Sequence, residues 1–194
     1  MDSRVDKIIM RIDGEKILHE SLVNALGLRD YDFIMKHAYK TNVEHDSDFQ
    51  KRFNAFYRVR KDEAWRKEYY SVFESAKNNP DISFEFILNE LFNRTGYVEP
   101  SFSSKMLATI DSSKPIWDSR VIKCLGVKVS LNQCKEDRLK LVIARYKEIE
   151  EWYSEYLLTA EAKENITFFD TTFPEFSKIS DTKKIDYFLW QAGE

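Results

Sequence analysis

Apolar residues recur with helical spacing along almost the whole chain. In the longest such segment they occupy one face of an α-helix, at Leu139, Val142, Ile143, Tyr146, Ile149, Tyr153, Tyr156 and Leu157. Only five Gly and four Pro occur, and alternating strand patterns are scarce. Residues 7–12 are the one exception, because they fit a short strand or a helix equally well. We therefore predict a compact, all-α, multi-helix protein whose core is filled by rings, since 14% of its residues are aromatic.

The same periodicity predicts where the individual helices lie. A first apolar stripe at residues 18–26 is followed by Gly27, which would end that helix. Further helices are predicted within residues 49–57, 65–76, 84–95, 101–110 and 118–126, and a last one from Ser180. The capping box Ser130-Leu131-Asn132-Gln133 should open the longest helix, and residues 165–176 are expected to be irregular. We expect a single domain of residues 1–194, and two helical lobes around a cleft, 49–92 and 130–189, fit this pattern.

Charge and cysteine content limit the classes of function. The net charge of −3 disfavours a protein that binds phosphates without specificity. The bases are concentrated, however, with seven against two acids in residues 51–67 and five against two in residues 105–128. Two cysteines and scattered histidines have no metal-ligand spacing, and no cofactor motif occurs, so we expect neither a metal nor a cofactor. No signal-peptide pattern or membrane-length apolar run is present, so we predict a cytoplasmic protein with no membrane partner.

One stretch carries a recognisable motif. It contains Ser101-Phe102-Ser103-Ser104-Lys105 at a helix start and Pro115-Ile116-Trp117-Asp118-Ser119-Arg120-Val121 after a turn, and it closes with Leu125-Gly126. Over residues 96–126 it resembles the core of the helix-hairpin-helix DNA glycosylase superfamily. The chain is also similar to a group of uncharacterised bacterial proteins that share the Ser-Phe-Ser-Ser-Lys and Pro-Ile-Trp-Asp-Ser signatures. Two features depart from the superfamily: residues 98–103 contain no glycine, and the spacing from Lys105 to Asp118 is shorter.

The resemblance implies an enzyme of DNA base excision, or a DNA-binding relative, that acts on double-stranded DNA. Asp118 would stabilise the positive charge that builds on the sugar as the base leaves. Lys105 would attack the sugar carbon and form a Schiff base. An extruded base needs aromatic walls, for which the candidates are Trp117, Tyr97 and Phe102. Phosphates would be held by Arg58, Arg60 and Arg120.

Each of these residues also has an ordinary structural interpretation. Asp118 stands where an N-cap belongs and Lys105 could be a solvated lysine. Trp117 could anchor its loop in the core. A non-catalytic helical module that binds another protein, or an accessory protein for RNA or nucleotides, therefore stays open as an alternative. The enzyme hypothesis differs from both because it requires Lys105 and Asp118 to face one aromatic cleft.

Overall fold

The computed structural model describes residues 26–128 and 134–193. Within these ranges the regular structure consists of nine α-helices and one short 3-10 turn, without a strand. The helices are α1 (Leu26–His37), α2 (Ser47–Phe56), α3 (Glu63–Ala76), α4 (Phe84–Thr95), α5 (Pro100–Ile110), α6 (Ser119–Cys124), α7 (Lys135–Tyr156), α8 (Ala160–Thr172) and α9 (Asp181–Ala192), and the turn is Pro174–Phe176. None of the helices in these ranges combines the length and the apolar character needed to cross a bilayer. The predicted all-α class is confirmed.

Side-chain caps explain why most of these helices begin where they do. The hydroxyl or carboxylate of the preceding residue accepts a hydrogen bond from a backbone N–H in the first turn, which satisfies a donor that the helix leaves unpaired. Six residues cap in this way: Asp46, Asp62, Ser83, Asp118, Thr159 and Ser180. The sequence pattern thus fixes most helix starts locally, before any packing is considered.

Aromatic rings fill the core, as the composition predicts. The Phe53 ring of α2 lies 6.0 and 5.6 Å from the rings of Tyr70 and Phe73 on α3. Phe84 of α4 stacks on Tyr146 of α7 with 3.8 Å between ring centroids. The buried apolar side chains form one cluster that draws on all nine helices. The arrangement in two lobes remains a prediction.

Helix α8 corrects the expectation that residues 165–176 are irregular. Most of that segment is helical, and only the turn Pro174–Phe176 and its flanks depart from the α-helix. Threonine and phenylalanine are weak helix formers, but burial of Ala162, Asn165 and Phe169 on one face outweighs propensity. Three threonine hydroxyls donate to the carbonyl oxygen four residues earlier at 2.8 Å, namely those of Thr167, Thr171 and Thr172.

Two further expectations concern the ends of the described ranges. Gly27 does not end a helix, because it lies inside α1 and ten helical residues follow it. The strand-or-helix segment 7–12, most of the predicted helix 18–26 and the capping box at residues 130–133 lie outside the described residues. The longest helix, α7, is present from Lys135 onward.

The motif region forms a helical hairpin followed by a short helix. Helix α4 ends at Gly96, whose φ of 72° suits glycine, and α5 starts four residues later and packs against α4. A turn then leads to α6, which starts after Asp118 and ends before Gly126 at φ 63°. Helix α9 packs against both α6 and α8. This packing brings the C-terminal helix beside the motif.

Candidate functional site

A cleft of about 550 Å³ lies between the end of α2, the middle of α5, the start of α6 and one face of α9. Its charged lining consists of four cationic side chains, Arg58, Lys105, Arg120 and Lys183, and three carboxylates, Asp30, Asp118 and Asp186. Its aromatic lining consists of Phe56, Tyr57, Phe102, Tyr187 and Trp190. Both basic stretches of the sequence thus contribute to one concave surface.

Lys105 is buried on the wall of this cleft. It is only 7% exposed, so the solvated lysine of the ordinary interpretation is wrong. Its Nζ lies 3.5 Å from the carbonyl oxygen of Tyr57, and α5 holds it rigidly because residues 103–109 are all buried. Burial lowers the pKa of the Lys105 ammonium below its ordinary value, and the Asp118 carboxylate is the strongest opposing influence. Lys105 therefore releases its proton more readily than a surface lysine.

Asp118 uses its two carboxylate oxygens differently. Oδ1 accepts a hydrogen bond from the backbone N–H of Arg120 at 3.0 Å and caps α6, which confirms the N-cap interpretation. Oδ2 lies 3.9 Å from Lys105 Nζ, a distance that suits an ion pair but exceeds a hydrogen bond. Capping therefore consumes only one oxygen, and the other stays beside the lysine.

Hydrogen bonds to the loop before α6 fix the distance between these two groups. The buried Ser104 hydroxyl, one residue from Lys105, accepts the backbone N–H of Trp117 at 2.7 Å. The Tyr146 hydroxyl of α7 donates to the carbonyl oxygen of Pro115 at 2.8 Å. Lys105 and Asp118 are thus tied together through a buried serine.

Arginines lie at the cleft beside an indole ring. The Arg120 guanidinium lies 4.0 Å from the centre of the Trp190 ring, and the Arg58 guanidinium lies 5.9 Å from it. Arg58 has a φ of 54°, a conformation in which helices usually end with glycine, and a non-glycine residue pays about 1–2 kcal/mol for it. A strained arginine at a cleft is a common feature of functional sites.

A second lysine–carboxylate pair lines the same cleft from α9. Lys183 Nζ lies 2.7 Å from Asp186 Oδ2, and the Tyr153 hydroxyl donates to Asp186 Oδ1 at 3.3 Å. Burial raises the pKa of Asp186. Burial lowers the pKa of Lys183, but the Asp186 carboxylate and Tyr31 more than offset this and raise it above its ordinary value. Lys183 and Asp186 are therefore within hydrogen-bond distance of each other, whereas Lys105 and Asp118 are not.

The structure distributes the predicted site residues unevenly. Lys105, Asp118, Phe102, Arg58 and Arg120 all line the cleft. The other three predicted site residues, Trp117, Tyr97 and Arg60, do not line the cleft. Trp117 is buried in the core, as a loop anchor would be. Tyr97 is 59% exposed in the turn between α4 and α5, where its ring lies 5.3 Å from Lys61 Nζ, and Arg60 is exposed between α2 and α3.

Sequence reasoning missed the contribution of α9. Lys183, Asp186, Tyr187 and Trp190 follow a spacing of three, four and seven residues, which places them on one helix face. Charged and aromatic residues that share a face are an available signal for a site. The motif lies about sixty residues away in the sequence, however, and nothing local connects the two segments.

No grouping of three or more His, Cys, Asp or Glu side chains within residues 26–128 and 134–193 could hold a metal ion. The chain matches no family model, no curated protein and no solved structure at a significant level. The cleft combines a buried amine, a carboxylate beside it, aromatic walls and guanidinium groups.

Proposed function

We propose that the protein cleaves the bond between a base and its sugar in DNA, with the extruded nucleotide held in the cleft. The observation that carries the proposal is the approach of the buried Lys105 amine to within 3.9 Å of the Asp118 carboxylate on the wall of an aromatic cleft. The resemblance of residues 96–126 to the helix-hairpin-helix DNA glycosylases supports the same assignment. The motif and the position of the two residues in the cleft both support the proposal.

Asp118 supplies the electrostatic part of the reaction. Loss of the base leaves positive charge on the sugar carbon and ring oxygen. The Asp118 carboxylate is held by the N-terminus of α6 and by the hydrogen-bonded loop before it. It therefore needs no reorganisation to stabilise that charge. Its free oxygen, Oδ2, is the one that faces Lys105 and the cleft.

Lys105 supplies the nucleophile. The lowered pKa of its ammonium raises the fraction of free amine at neutral pH. The amine attacks the sugar C1′, and the base departs with the electrons of the C1′–N bond and is protonated. The ring oxygen then leaves C1′ as a hydroxyl, and an imine between Lys105 and the opened sugar remains. Phe102 and Tyr57 provide apolar walls for the extruded base, and Arg58 and Arg120 provide donors for flanking phosphates.

The geometry disfavours a purely structural role for these residues. A non-catalytic module predicts an exposed Lys105 and an Asp118 whose carboxylate is used up by capping. Lys105 is instead buried, and its Nζ lies 3.5 Å from the Tyr57 carbonyl oxygen and 3.9 Å from Asp118 Oδ2, long distances that only partly offset the cost of desolvation. Lysines whose pKa is lowered by burial beside a specific charge partner cluster at functional sites, which supports the proposal.

The test is a screen for base release, strand cleavage and borohydride trapping on duplexes that carry abasic sites or modified bases. Wild type is compared with Lys105→Met and Asp118→Asn. Lys184→Met is a matched control, because Lys184 is equally buried and paired with Asp170 and Asp181 on α8 and α9 but does not line the cleft. We expect a trapped adduct with wild type and with Lys184→Met, and none with Lys105→Met. Absence of base release and of trapping with every duplex contradicts the proposal.

A further inference from the structure

Lys105 differs from Lys183, the other lysine that lines the cleft. The Lys105 side chain is 9% exposed, and its Nζ lies 3.5 Å from the Tyr57 carbonyl oxygen and 3.9 Å from Asp118 Oδ2. Lys183 Nζ instead lies 2.7 Å from Asp186 Oδ2, where the carboxylate holds it as an ammonium. Burial lowers the pKa of the Lys105 ammonium, so Lys105 more readily presents the free lone pair that a nucleophile needs.

The space beside this amine suits an aromatic ring. The cleft has a volume of about 550 Å³, which is in the range of small-molecule sites, and five aromatic side chains contribute to its lining. Lys105 Nζ lies 5.7 Å from the centre of the Tyr57 ring and 5.5 Å from that of Phe102. Aromatic rings attract each other when their centres are about 4.5–7 Å apart. A ring joined to Nζ through a single carbon would therefore lie within reach of both walls.

The gap between Lys105 and Asp118 suits the transfer of a proton through an added hydroxyl group. The 3.9 Å from Nζ to Oδ2 exceeds a direct hydrogen bond. A hydroxyl on the carbon bonded to Nζ would lie close enough to Oδ2 to exchange a proton with it. The backbone N–H of Arg120 holds the other oxygen, Oδ1, at 3.0 Å, so the carboxylate stays in place. The two side chains can thus add an amine to a carbonyl group and move the protons that the addition requires.

We propose that the cleft takes up small aromatic aldehydes and that Lys105 condenses with them to form an imine. The Nζ lone pair forms a bond to the carbonyl carbon, and the carbonyl oxygen becomes a hydroxyl by taking up a proton that the nitrogen loses. Asp118 Oδ2 then accepts the second N–H proton and passes it to this hydroxyl, which leaves as water while the C=N bond forms. The reaction needs neither DNA nor a redox partner. It therefore goes beyond the proposed function, although both use Lys105 as the nucleophile.

Reductive trapping on the whole protein tests this activity. Wild type is incubated at neutral pH with benzaldehyde and cyanoborohydride and digested with a protease that does not cut at lysine, and mass spectrometry follows the benzyl adduct at each lysine over time. Lys163, which is exposed on α8, is the reference for a surface amine. Lys184, which is 3% exposed and lies 2.8 Å from Asp170, is the reference for a buried and paired one. Cyclohexanecarbaldehyde is the matched aldehyde, because its ring has the same number of carbons but is not aromatic.

We expect Lys105 to carry the first equivalent of the adduct, ahead of Lys163 and Lys184. The ratio of the initial rates at Lys105 and Lys163 should be about two- to tenfold larger with benzaldehyde than with cyclohexanecarbaldehyde, the factor expected for one aromatic contact. Asp118→Asn should slow the reaction at Lys105 and leave that at Lys163 unchanged. A Lys105 that reacts no faster than Lys163 overturns the inference, and equal rate ratios for the two aldehydes overturn the aromatic class.

The result is separable from the fate of the proposed function. A benzyl adduct formed first at Lys105, together with no base release and no trapping with any duplex, would retain the imine chemistry and remove the DNA enzyme. Base release from a duplex, together with no preference of benzaldehyde for Lys105, would retain the DNA enzyme and remove the aldehyde activity.

Discussion

Asp118 has two roles that substitution can separate. The hydrogen bond from Arg120 N–H to Oδ1 at 3.0 Å is an N-cap contact, and its loss costs about 1 kcal/mol of unfolding free energy. Asparagine is as good an N-cap as aspartate. We therefore expect Asp118→Asn to retain the capping contribution and Asp118→Ala to lose it, so that alanine is less stable than asparagine by about 1 kcal/mol.

The negative charge of Asp118 affects the rate of base release, and asparagine does not replace it. A unit positive charge about 4 Å from a carboxylate near a protein surface is stabilised by about 4 kcal/mol before solvent and reorganisation reduce the figure. Asparagine forfeits this stabilisation of the sugar cation, and measured losses for a single electrostatic contact of this kind are about 100- to 1,000-fold in rate. Asp118→Asn should therefore lose base release by that factor while its fold survives.

The assay combines urea unfolding with single-turnover base release on the best duplex from the screen. Asp62→Asn is the matched control, because Asp62 caps α3 through a 2.8 Å hydrogen bond from Trp65 N–H and lies outside the cleft lining. It should leave both stability and rate near wild type. An Asp118→Asn protein that is as stable and as active as wild type would refute the electrostatic role and leave Asp118 as a cap alone.

Three further predictions concern stability. Lys105→Met should stabilise the protein at neutral pH, because desolvation of the Lys105 ammonium outweighs its attraction to Asp118 and lowers its pKa on folding. The free energy of unfolding of wild type should rise with pH between the folded pKa of Lys105 and its ordinary value of 10.5, so the advantage of methionine should shrink over that interval, as urea unfolding across pH will measure. Ser104→Ala should lower the free energy of unfolding by about 1–3 kcal/mol and slow base release, because it leaves the buried backbone N–H of Trp117 without its acceptor. The control is Ser103→Ala. The Ser103 hydroxyl only donates to the Glu99 carbonyl oxygen, which also accepts a helix N–H, so its loss should lower the free energy of unfolding by less in the same denaturant assay. Gly193→Ala would put Cβ 2.7 Å from Cβ of Arg120, and the forced separation of α9 from α6 should cost about 1–3 kcal/mol by thermal unfolding.

Local patterns predicted most of the fold. The caps Ser83, Asp118 and Ser180 and the C-terminal glycines Gly96 and Gly126 act within a few residues of their position in the chain, so the sequence displays them directly. Helix α8 was mispredicted because its threonines and phenylalanines favour other structures, and only tertiary burial makes them helical.

The candidate site could be predicted only in part, for a related reason. Lys105 and Asp118 belong to one contiguous motif, and their approach follows from a short connection. Burial of Lys105 depends on the end of α2, where Tyr57 contacts it, and the participation of Trp190 depends on how α9 packs against α6. That contact joins residues about seventy positions apart, and helical periodicity carries no information about it.

The most direct test of the account is to identify the residue that forms the adduct. Wild type is incubated with an abasic-site duplex and borohydride, the trapped complex is digested with a protease, and mass spectrometry locates the modified side chain. We expect the reduced sugar to be attached to Lys105. Attachment to another residue, such as Lys183 in the same cleft, or no adduct with any duplex, would contradict the assignment of Lys105 as the nucleophile.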